Sequence, residues 1–132
     1  MNELSPASRF LPHWHAAVSA KDTRHLDDWT AADCVIASPA FWTPKGPKAY
    51  VMEILRSVTF NLEDFVYDKE WFDGQELCLE FSARLGAVRM RGIDRITVNA
   101  DGLMTKIEVF IRPMNGLIAL AEKVKGDLRG GA

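Results

Sequence analysis

The apolar residues of the chain follow two different spacings, and the change occurs near residue 60. Before that point apolar residues recur three or four positions apart, as Phe10, Trp14 and Ala17 do, which is typical of an amphipathic helix. After it, apolar and polar residues alternate, which is typical of a half-buried strand. The pattern predicts three helices followed by a four-stranded antiparallel meander, and therefore an α+β fold.

Two helices are expected before residue 33. Ser5-Pro6 is a suitable cap and first-turn pair, and Asp22-Thr23 can cap a second, short helix that ends near Ala31-Ala32. Pro12 conflicts with a single first helix because its ring clashes with an earlier carbonyl group. We therefore expect the main helix either to start near Pro12 or to be kinked there.

A strand, a loop and a third helix follow. Residues 34–37 are all apolar and precede Ser38-Pro39, which predicts a short buried strand. Residues 40–47 contain three prolines and glycines around Phe41 and Trp42, so they are expected to form a loop, and aromatic residues on such a loop often cover a pocket. Pro47 can occupy the first turn of the third helix, whose apolar stripe ends near Ser57.

The second half of the chain alternates strands with tight turns. Strands are predicted within residues 65–72, 77–85, 88–98 and 106–112, with turns at Asp73-Gly74, Gly86-Ala87 and residues 99–102. A short C-terminal helix follows Pro113, with Leu117, Leu120, Ala121 and Val124 on one stripe. The polar, glycine-rich tail begins at Gly126. We expect one domain over residues 1–132, with residues 1–8 and 126–132 frayed.

Asp94 is the one carboxyl on the apolar face of its strand. One face of residues 88–98 consists of Val88, Met90, Gly92, Asp94, Ile96 and Val98. A buried, unpaired charge is costly, so such a carboxyl is paired, neutralised by a raised pKa, or directed into a cavity that admits a polar group. The last two arrangements are typical of active sites.

Composition excludes some partners. The chain is 48% hydrophobic and 26% charged with a formal net charge of -2, which gives no electrostatic reason to expect nucleic acid or an anionic membrane as partner. No apolar stretch has the length of a signal peptide core or a membrane span. Cys34 and Cys78 have no metal-type spacing and lie in apolar strand segments, so we expect free thiols and a cytoplasmic protein.

The order of elements resembles a known family. The segments Ala31-Ala32-Asp33-Cys34-Val35-Ile36-Ala37-Ser38-Pro39 and Gly92-Ile93-Asp94-Arg95-Ile96, with Asp101-Gly102 before the last strand, resemble the SnoaL-like polyketide cyclases and ketosteroid isomerases of the nuclear transport factor 2-like superfamily. The likeness spans roughly Trp14 to Leu120. It implies a cone-shaped half-open barrel, with three N-terminal helices packed in a curved four- to six-stranded sheet and an apolar pocket at the open end.

The resemblance also implies roles for three residues. Asp94 stands where the isomerases carry an aspartic acid that stays protonated and donates a hydrogen bond to the substrate oxyanion. Ser38 stands at the position of their general base, and Trp14 at the position of their oxyanion tyrosine. Two of the three groups are therefore replaced, which argues against isomerisation by that mechanism, whereas Asp94 alone matches the acidic residue that acts in the cyclases.

Two functions remain open at this stage. The first is a cofactor-independent isomerase, cyclase, dehydratase or hydrolase for a small hydrophobic carbonyl or hydroxyl compound, with Asp94 as acid/base and no metal. The second is a non-catalytic ligand-binding or dimerisation module in which Asp94 is structural. In either case the expected pocket-lining residues are Trp14, Ser38, Tyr50, Phe81, Met90, Ile107, Val109 and Ile111.

The outer face of the sheet has two interpretations. Arg89, Arg91 and Arg95 can form cross-strand ion pairs with Glu80 and Glu108 on neighbouring strands. The same face can instead be the interface of a homodimer, with Ile93 and Phe110 at its apolar centre. The family resemblance also implies a homodimer that packs through the sheet.

Overall fold

The computed structural model describes residues 4–130. Three helical segments, α1, a short 3₁₀ helix and α2, precede most of the sheet, and a last helix, α3, follows it. The elements in chain order are α1 (Pro6–Ala20), the 3₁₀ helix (Thr23–Trp29), β1 (Thr30–Ala37), α2 (Lys48–Asn61), β2 (Glu63–Asp73), β3 (Glu76–Leu85), β4 (Val88–Val98), β5 (Met104–Arg112) and α3 (Met114–Gly130). The expected α+β architecture is confirmed.

One five-stranded sheet forms the framework, in the order β1-β5-β4-β3-β2. The last four strands are the predicted antiparallel meander, and β1 joins its edge parallel to β5. The pairing of β2 with β3 shifts register between Glu63 and Val66 and again between Tyr67 and Lys69. Such irregularities bend a strand and increase its twist, which helps the sheet to curve around the helices.

Helix α1 has the predicted start and contains Pro12 within it. The Ser5 side chain accepts a hydrogen bond from the backbone N–H of Ser8, and Pro6 occupies the first turn. Pro12 lies inside the helix with an exposed side chain, and the helix continues to Ala20. The helix therefore starts at Pro6, and the alternative start near Pro12 is wrong.

The ends of the other three helices differ from the prediction. The 3₁₀ helix ends at Trp29, and Ala31-Ala32 belong to β1, because strand pairing with β5 already begins at Thr30. Helix α2 extends beyond Ser57 to Asn61. Helix α3 passes Gly126 and reaches Gly130, so the chain is helical over much of the tail that was expected to fray. At the other end, residues 6–8 belong to α1, although residues 1–8 were expected to fray. The expected fraying of residues 1–3, 131 and 132 concerns positions outside the described residues.

Asp127 explains why α3 continues beyond Gly126. Its carboxylate accepts hydrogen bonds from the Ser57 hydroxyl at 2.7 Å and from the Asn61 amide at 2.6 Å, both on α2. These bonds lower the pKa of Asp127, since they favour its charged form. The end of α3 is thus attached to α2 by polar contacts that an apolar pattern does not reveal.

The core consists of two adjoining clusters. The larger one joins α1, α2 and the β1 side of the sheet, and includes the fully buried Phe10, Leu79 and Ile107. The smaller one joins β3, β4 and α3, and includes Phe81 and Met90. Both clusters lie on the concave side of the sheet, so the helices fill the curve of the strands.

The two cysteines are free, as predicted. Cys34 is buried and Cys78 is half-buried. Burial raises the pKa of the Cys34 thiol to about 12, so this thiol is protonated and unreactive at neutral pH. No helix within residues 4–130 has the length and apolar character required to cross a membrane.

The outer face carries ion pairs, but with other partners than expected. Arg95 contacts Glu76 at 3.4 Å and Arg91 contacts Asp68 at 3.7 Å. Glu108 is the register partner of Arg95 on β5, yet the Arg95 side chain extends toward β3 instead. The predicted pairing with Glu80 and Glu108 is therefore wrong, while the prediction of cross-strand pairs on this face is confirmed.

Candidate functional site

An apolar cavity of about 330 Å³ lies between the concave face of the sheet and the helices. All five strands, three helices and the loop after β1 contribute to its wall. The wall residues from the sheet and the first two α-helices are Trp14, Val18, Ile36, Tyr50, Ile54, Leu55, Val58, Thr59, Phe65, Phe81, Asp94, Val109 and Ile111. The remainder come from the loop (Ser38, Pro39, Ala40, Phe41, Thr43, Lys45) and from α3 (Leu117, Leu120, Ala121, Val124, Lys125, Leu128).

Asp94 is a carboxyl in the buried part of this wall. It lies on β4 between Leu79 of β3 and Val109 of β5, and its side chain is 8% exposed. None of the side-chain hydrogen bonds among residues 4–130 involves its carboxyl, and burial, which is the single cause of the shift, raises its pKa to about 7. Of the three arrangements expected for such a group, pairing is excluded within the described residues, and Asp94 has both a raised pKa and a position on a cavity wall.

Gly92 allows an aromatic ring to lie beside Asp94. A Cβ atom at Gly92 would come within 2.5 Å of both the backbone oxygen of Phe110 and Cζ of Phe81. The Phe81 ring therefore crosses β4 where only glycine fits. It also stacks on Phe65, with ring centroids 4.9 Å apart, so the apolar wall next to the carboxyl is fixed in place.

Trp14 and Tyr67 form a polar contact behind the cavity. The Trp14 indole N–H donates to the Tyr67 hydroxyl oxygen at 2.5 Å. Burial, with the nearby Asp94 charge as a second cause, raises the pKa of Tyr67, which therefore stays protonated. The indole N–H of Trp14 is thus satisfied by Tyr67, while the Trp14 ring lines the cavity.

Sequence reasoning missed Tyr67. The sequence pattern places it on a predicted strand, but it matches none of the family positions that carry a role. Tyr67 is the register partner of Phe81, which lies on the inner face of β3. The alternation of Phe65 and Tyr67 was the available signal that both point inward.

Most of the predicted pocket residues surround one cavity. Trp14, Ser38, Tyr50, Phe81, Val109 and Ile111 line it together with Asp94. Met90 and Ile107 do not, which corrects the sequence-based assignment. Helix α3 packs on Met90, since a Cβ at Gly116 would lie 2.9 Å from the Met90 Cβ, and Ile107 is fully buried in the larger core cluster.

Helix α3 forms a part of the wall that was not anticipated. Its apolar stripe was recognised in the sequence, but the stripe alone does not show whether it packs on the core or faces a cavity. Leu120 does both, because it belongs to the smaller core cluster and lines the cavity. The loop after β1 behaves as predicted in one respect: Phe41 lines the cavity, whereas Trp42 is 96% exposed.

The histidines do not form a metal site. His13 stacks on Trp29, with ring centroids 3.9 Å apart, and His15 contacts Glu70 at 2.5 Å, so the two rings have different neighbours. Within the described residues no group of three or more His, Cys, Asp or Glu side chains is arranged to hold a metal ion.

Solved structures with the same fold include enzymes and proteins of unknown function. A steroid delta-isomerase from Pseudomonas aeruginosa is 34% identical, with a TM-score of 0.91, and the match covers 98% of this chain and 96% of that chain. A protein with a cystatin-like fold from Silicibacter pomeroyi is 24% identical, with a TM-score of 0.83, and the match covers 89% of this chain and 83% of that chain. An NTF2-like protein of unknown function from Cytophaga hutchinsonii is 12% identical, with a TM-score of 0.66, and the match covers 87% of this chain and 97% of that chain.

A scan against protein-family models and a search of curated proteins gave no match. The steroid delta-isomerase is nevertheless 34% identical over almost the full length of both chains, and the fold has the helices and curved sheet that the resemblance implied. The chain belongs to the SnoaL-like and ketosteroid isomerase-like proteins of the nuclear transport factor 2-like superfamily.

Proposed function

We propose that the protein is a cofactor-independent enzyme that moves a proton within a small apolar carbonyl or hydroxyl compound, with Asp94 as the acid/base. Of the reactions open to the family, we single out double-bond isomerisation beside a ketone, by a route that uses Asp94 alone and does not need the replaced general base and oxyanion tyrosine. The observation that carries the proposal is the Asp94 carboxyl, which lies on the wall of an apolar cavity and takes part in none of the side-chain hydrogen bonds among residues 4–130. A pKa of about 7 suits both uptake and return of a proton at neutral pH.

A single carboxyl is sufficient for such a shuttle. The carboxylate removes a proton from the carbon between the ketone and an isolated double bond, and the electron pair moves onto the ketone oxygen to give a dienolate. The protonated Asp94 then returns the same proton to the far carbon of the dienolate, which moves the double bond into conjugation. Ser38, Thr43 and Tyr50 line the cavity, and their hydroxyl groups are among the donors available to the oxyanion.

The similarity to a steroid delta-isomerase supports this choice of reaction. The walls of the cavity are mostly aliphatic and aromatic, which suits a hydrophobic ring system, and the volume of about 330 Å³ lies in the range of roughly 300–1,000 Å³ found for small-molecule sites. The dienolate would form against an apolar surface from which most water is excluded, which strengthens its interaction with nearby donors.

The test is an isomerisation assay with a steroid that carries a β,γ-unsaturated ketone, followed by the ultraviolet absorbance of the conjugated product. We expect turnover by the wild-type protein and a loss of about 10²–10⁴-fold in kcat in Asp94→Asn. Asp28→Asn, an exposed acid-to-amide change in the 3₁₀ helix, is the matched control and should keep full activity. Equal turnover by wild type and Asp94→Asn would overturn the role of Asp94.

The second candidate function is a ligand-binding module without catalysis. The observation that favours it is the Trp14 indole N–H, which donates to Tyr67 and does not project a free donor into the cavity. By the family resemblance, Ser38 also stands where the isomerases have their base. If the protein bound the conjugated ketone product but did not convert the β,γ-unsaturated ketone into it, this alternative would be favoured.

We further propose a homodimer that packs through the outer sheet face, in the cytoplasm. On that face Phe110, the register partner of the half-buried Ile93, is 47% exposed, and Trp71 of β2 is 46% exposed. Light scattering at micromolar concentration should give twice the mass of one chain, and Phe110→Glu should reduce it to that of one chain. A monomeric mass for the wild-type protein would contradict this proposal.

A further inference from the structure

The cavity has a charge arrangement that the proposed reaction does not use. Of the described residues that line it, Asp94 alone carries a carboxyl, and Lys45 and Lys125 alone carry a positive charge. Asp94 is buried, whereas both lysines are exposed. The cavity therefore has its acidic group inside and its two basic groups at the opening.

Both lysines are attached to well-defined backbone. The N–H of Lys45 donates to the Ile36 carbonyl at 3.0 Å, and its own carbonyl accepts from the Ile36 N–H at 2.8 Å, so it is paired with β1. The Lys45 ammonium lies 4.9 Å from the centre of the Phe41 ring, another residue of the cavity wall. Lys125 belongs to α3, two residues before Asp127, which bonds to α2.

Neither ammonium group is neutralised locally. Among residues 4–130, no carboxylate lies within ion-pair distance of Lys45 or Lys125. Their charges are therefore available to a ligand. An apolar cavity with unpaired cations at its opening suits a molecule whose apolar body enters and whose anionic group stays in water at the edge.

We propose that the natural ligand is an amphipathic anion: an apolar carbonyl or hydroxyl compound with a carboxylate, sulfate or phosphate group that remains at the opening beside Lys45 and Lys125. This inference rests on the proposed function, because it adds an anionic end to the substrate class of the same cavity. It also fixes the orientation of the ligand, with the reactive carbon toward Asp94 and the anionic group toward the two lysines.

The test compares the binding of two probes of equal chain length, decanoate and decanol, by calorimetry at low ionic strength. We expect the wild-type protein to bind decanoate about tenfold more tightly than decanol, since two exposed charge pairs each contribute modestly. Added sodium chloride should weaken the binding of decanoate and leave the binding of decanol unchanged. Decylamine should bind more weakly than decanol.

Variants connect the preference to the lysines. In the double variant Lys45→Met with Lys125→Met, decanoate should bind no better than decanol, and the affinity for decanol should not fall. Lys123→Met is the matched control, because Lys123 is an exposed lysine of α3 that does not line the cavity. It should keep the wild-type preference.

The outcomes separate this inference from the proposed function. Equal binding of decanoate and decanol by the wild-type protein would refute the proposal that the ligand carries an anionic group. A loss of the preference for decanoate in Lys123→Met equal to that in the double variant would refute it as well. Both results would remain compatible with an apolar substrate. Absence of binding for both probes would overturn the inference together with the view of the cavity as a site for apolar molecules. Turnover in the isomerisation assay is measured independently of both.

Discussion

Replacement of Asp94 by asparagine should change how the stability of the protein depends on pH. The carboxyl has an ordinary pKa of 3.8 in the unfolded chain and a pKa of about 7 in the folded protein, where burial disfavours its charged form. Between these values the folded state binds a proton that the unfolded state does not. The stability associated with the protonated carboxyl is therefore full below about pH 4 and is lost as the pH rises through 7.

The size of the effect follows from the two pKa values. A difference of about three pH units corresponds to roughly 4 kcal/mol in the free energy of unfolding, as an order of magnitude. Asp94→Asn cannot titrate at this position. The free energy of unfolding of the wild-type protein, relative to that of Asp94→Asn, should therefore fall by about 4 kcal/mol between pH 4 and pH 8.

Urea denaturation of both proteins across this pH range provides the measurement. The other titrating groups act equally in the two proteins, so their contributions cancel in the difference. If the free energies of unfolding of the two proteins changed in parallel from pH 4 to pH 8, the reasoning would be refuted, because the Asp94 carboxyl would then have the same pKa in the folded and unfolded states. If the wild-type protein instead gained stability relative to the variant as the pH rises, the pKa of Asp94 would be lowered in the folded state, which requires a group that stabilises its charged form.

Two further predictions concern the structure around the carboxyl. Gly92→Ala should destabilise the protein by about 1–3 kcal/mol, because the added Cβ would lie 2.5 Å from a backbone oxygen and from a packed aromatic ring. Its control, Gly126→Ala, should stabilise the protein by up to about 1 kcal/mol, because Gly126 lies in a helix with open space around it. Urea denaturation distinguishes them, and a neutral Gly92→Ala would contradict the packing. Trp14→Phe should lower the free energy of unfolding by about 1–3 kcal/mol, because the Tyr67 hydroxyl loses its hydrogen-bond donor. Trp42→Phe, at a 96% exposed position, is the control and should have no effect. Equal effects of the two substitutions would refute the hydrogen bond.

The inner position of Asp94 was predictable from alternation alone. A period of two assigns each residue of a strand to one face, and the faces of β3 and β4 agree with the burial that the structure shows. The same rule does not distinguish a side chain that faces a cavity from one that faces another side chain. Met90 and Ile107 are on the correct face, yet packing helices cover both.

Other features depend on contacts between distant parts of the chain. The bond between Trp14 and Tyr67 joins residues 53 positions apart, and the attachment of Asp127 to Ser57 joins residues 70 positions apart. Local spacing carries no information about such pairs. For the same reason the local sequence at Gly126 predicts the start of a frayed tail, although α3 continues beyond it.

The central claim is that Asp94 exchanges a proton near neutral pH from the wall of an apolar cavity. The most direct measurement is the titration of its carboxyl carbon by ¹³C NMR in aspartate-labelled protein, with Asp94→Asn used to assign the signal. We expect a midpoint near pH 7. A midpoint near pH 4 would contradict it, because the carboxyl would then be ionised at neutral pH and too weak a base to act as the proton shuttle.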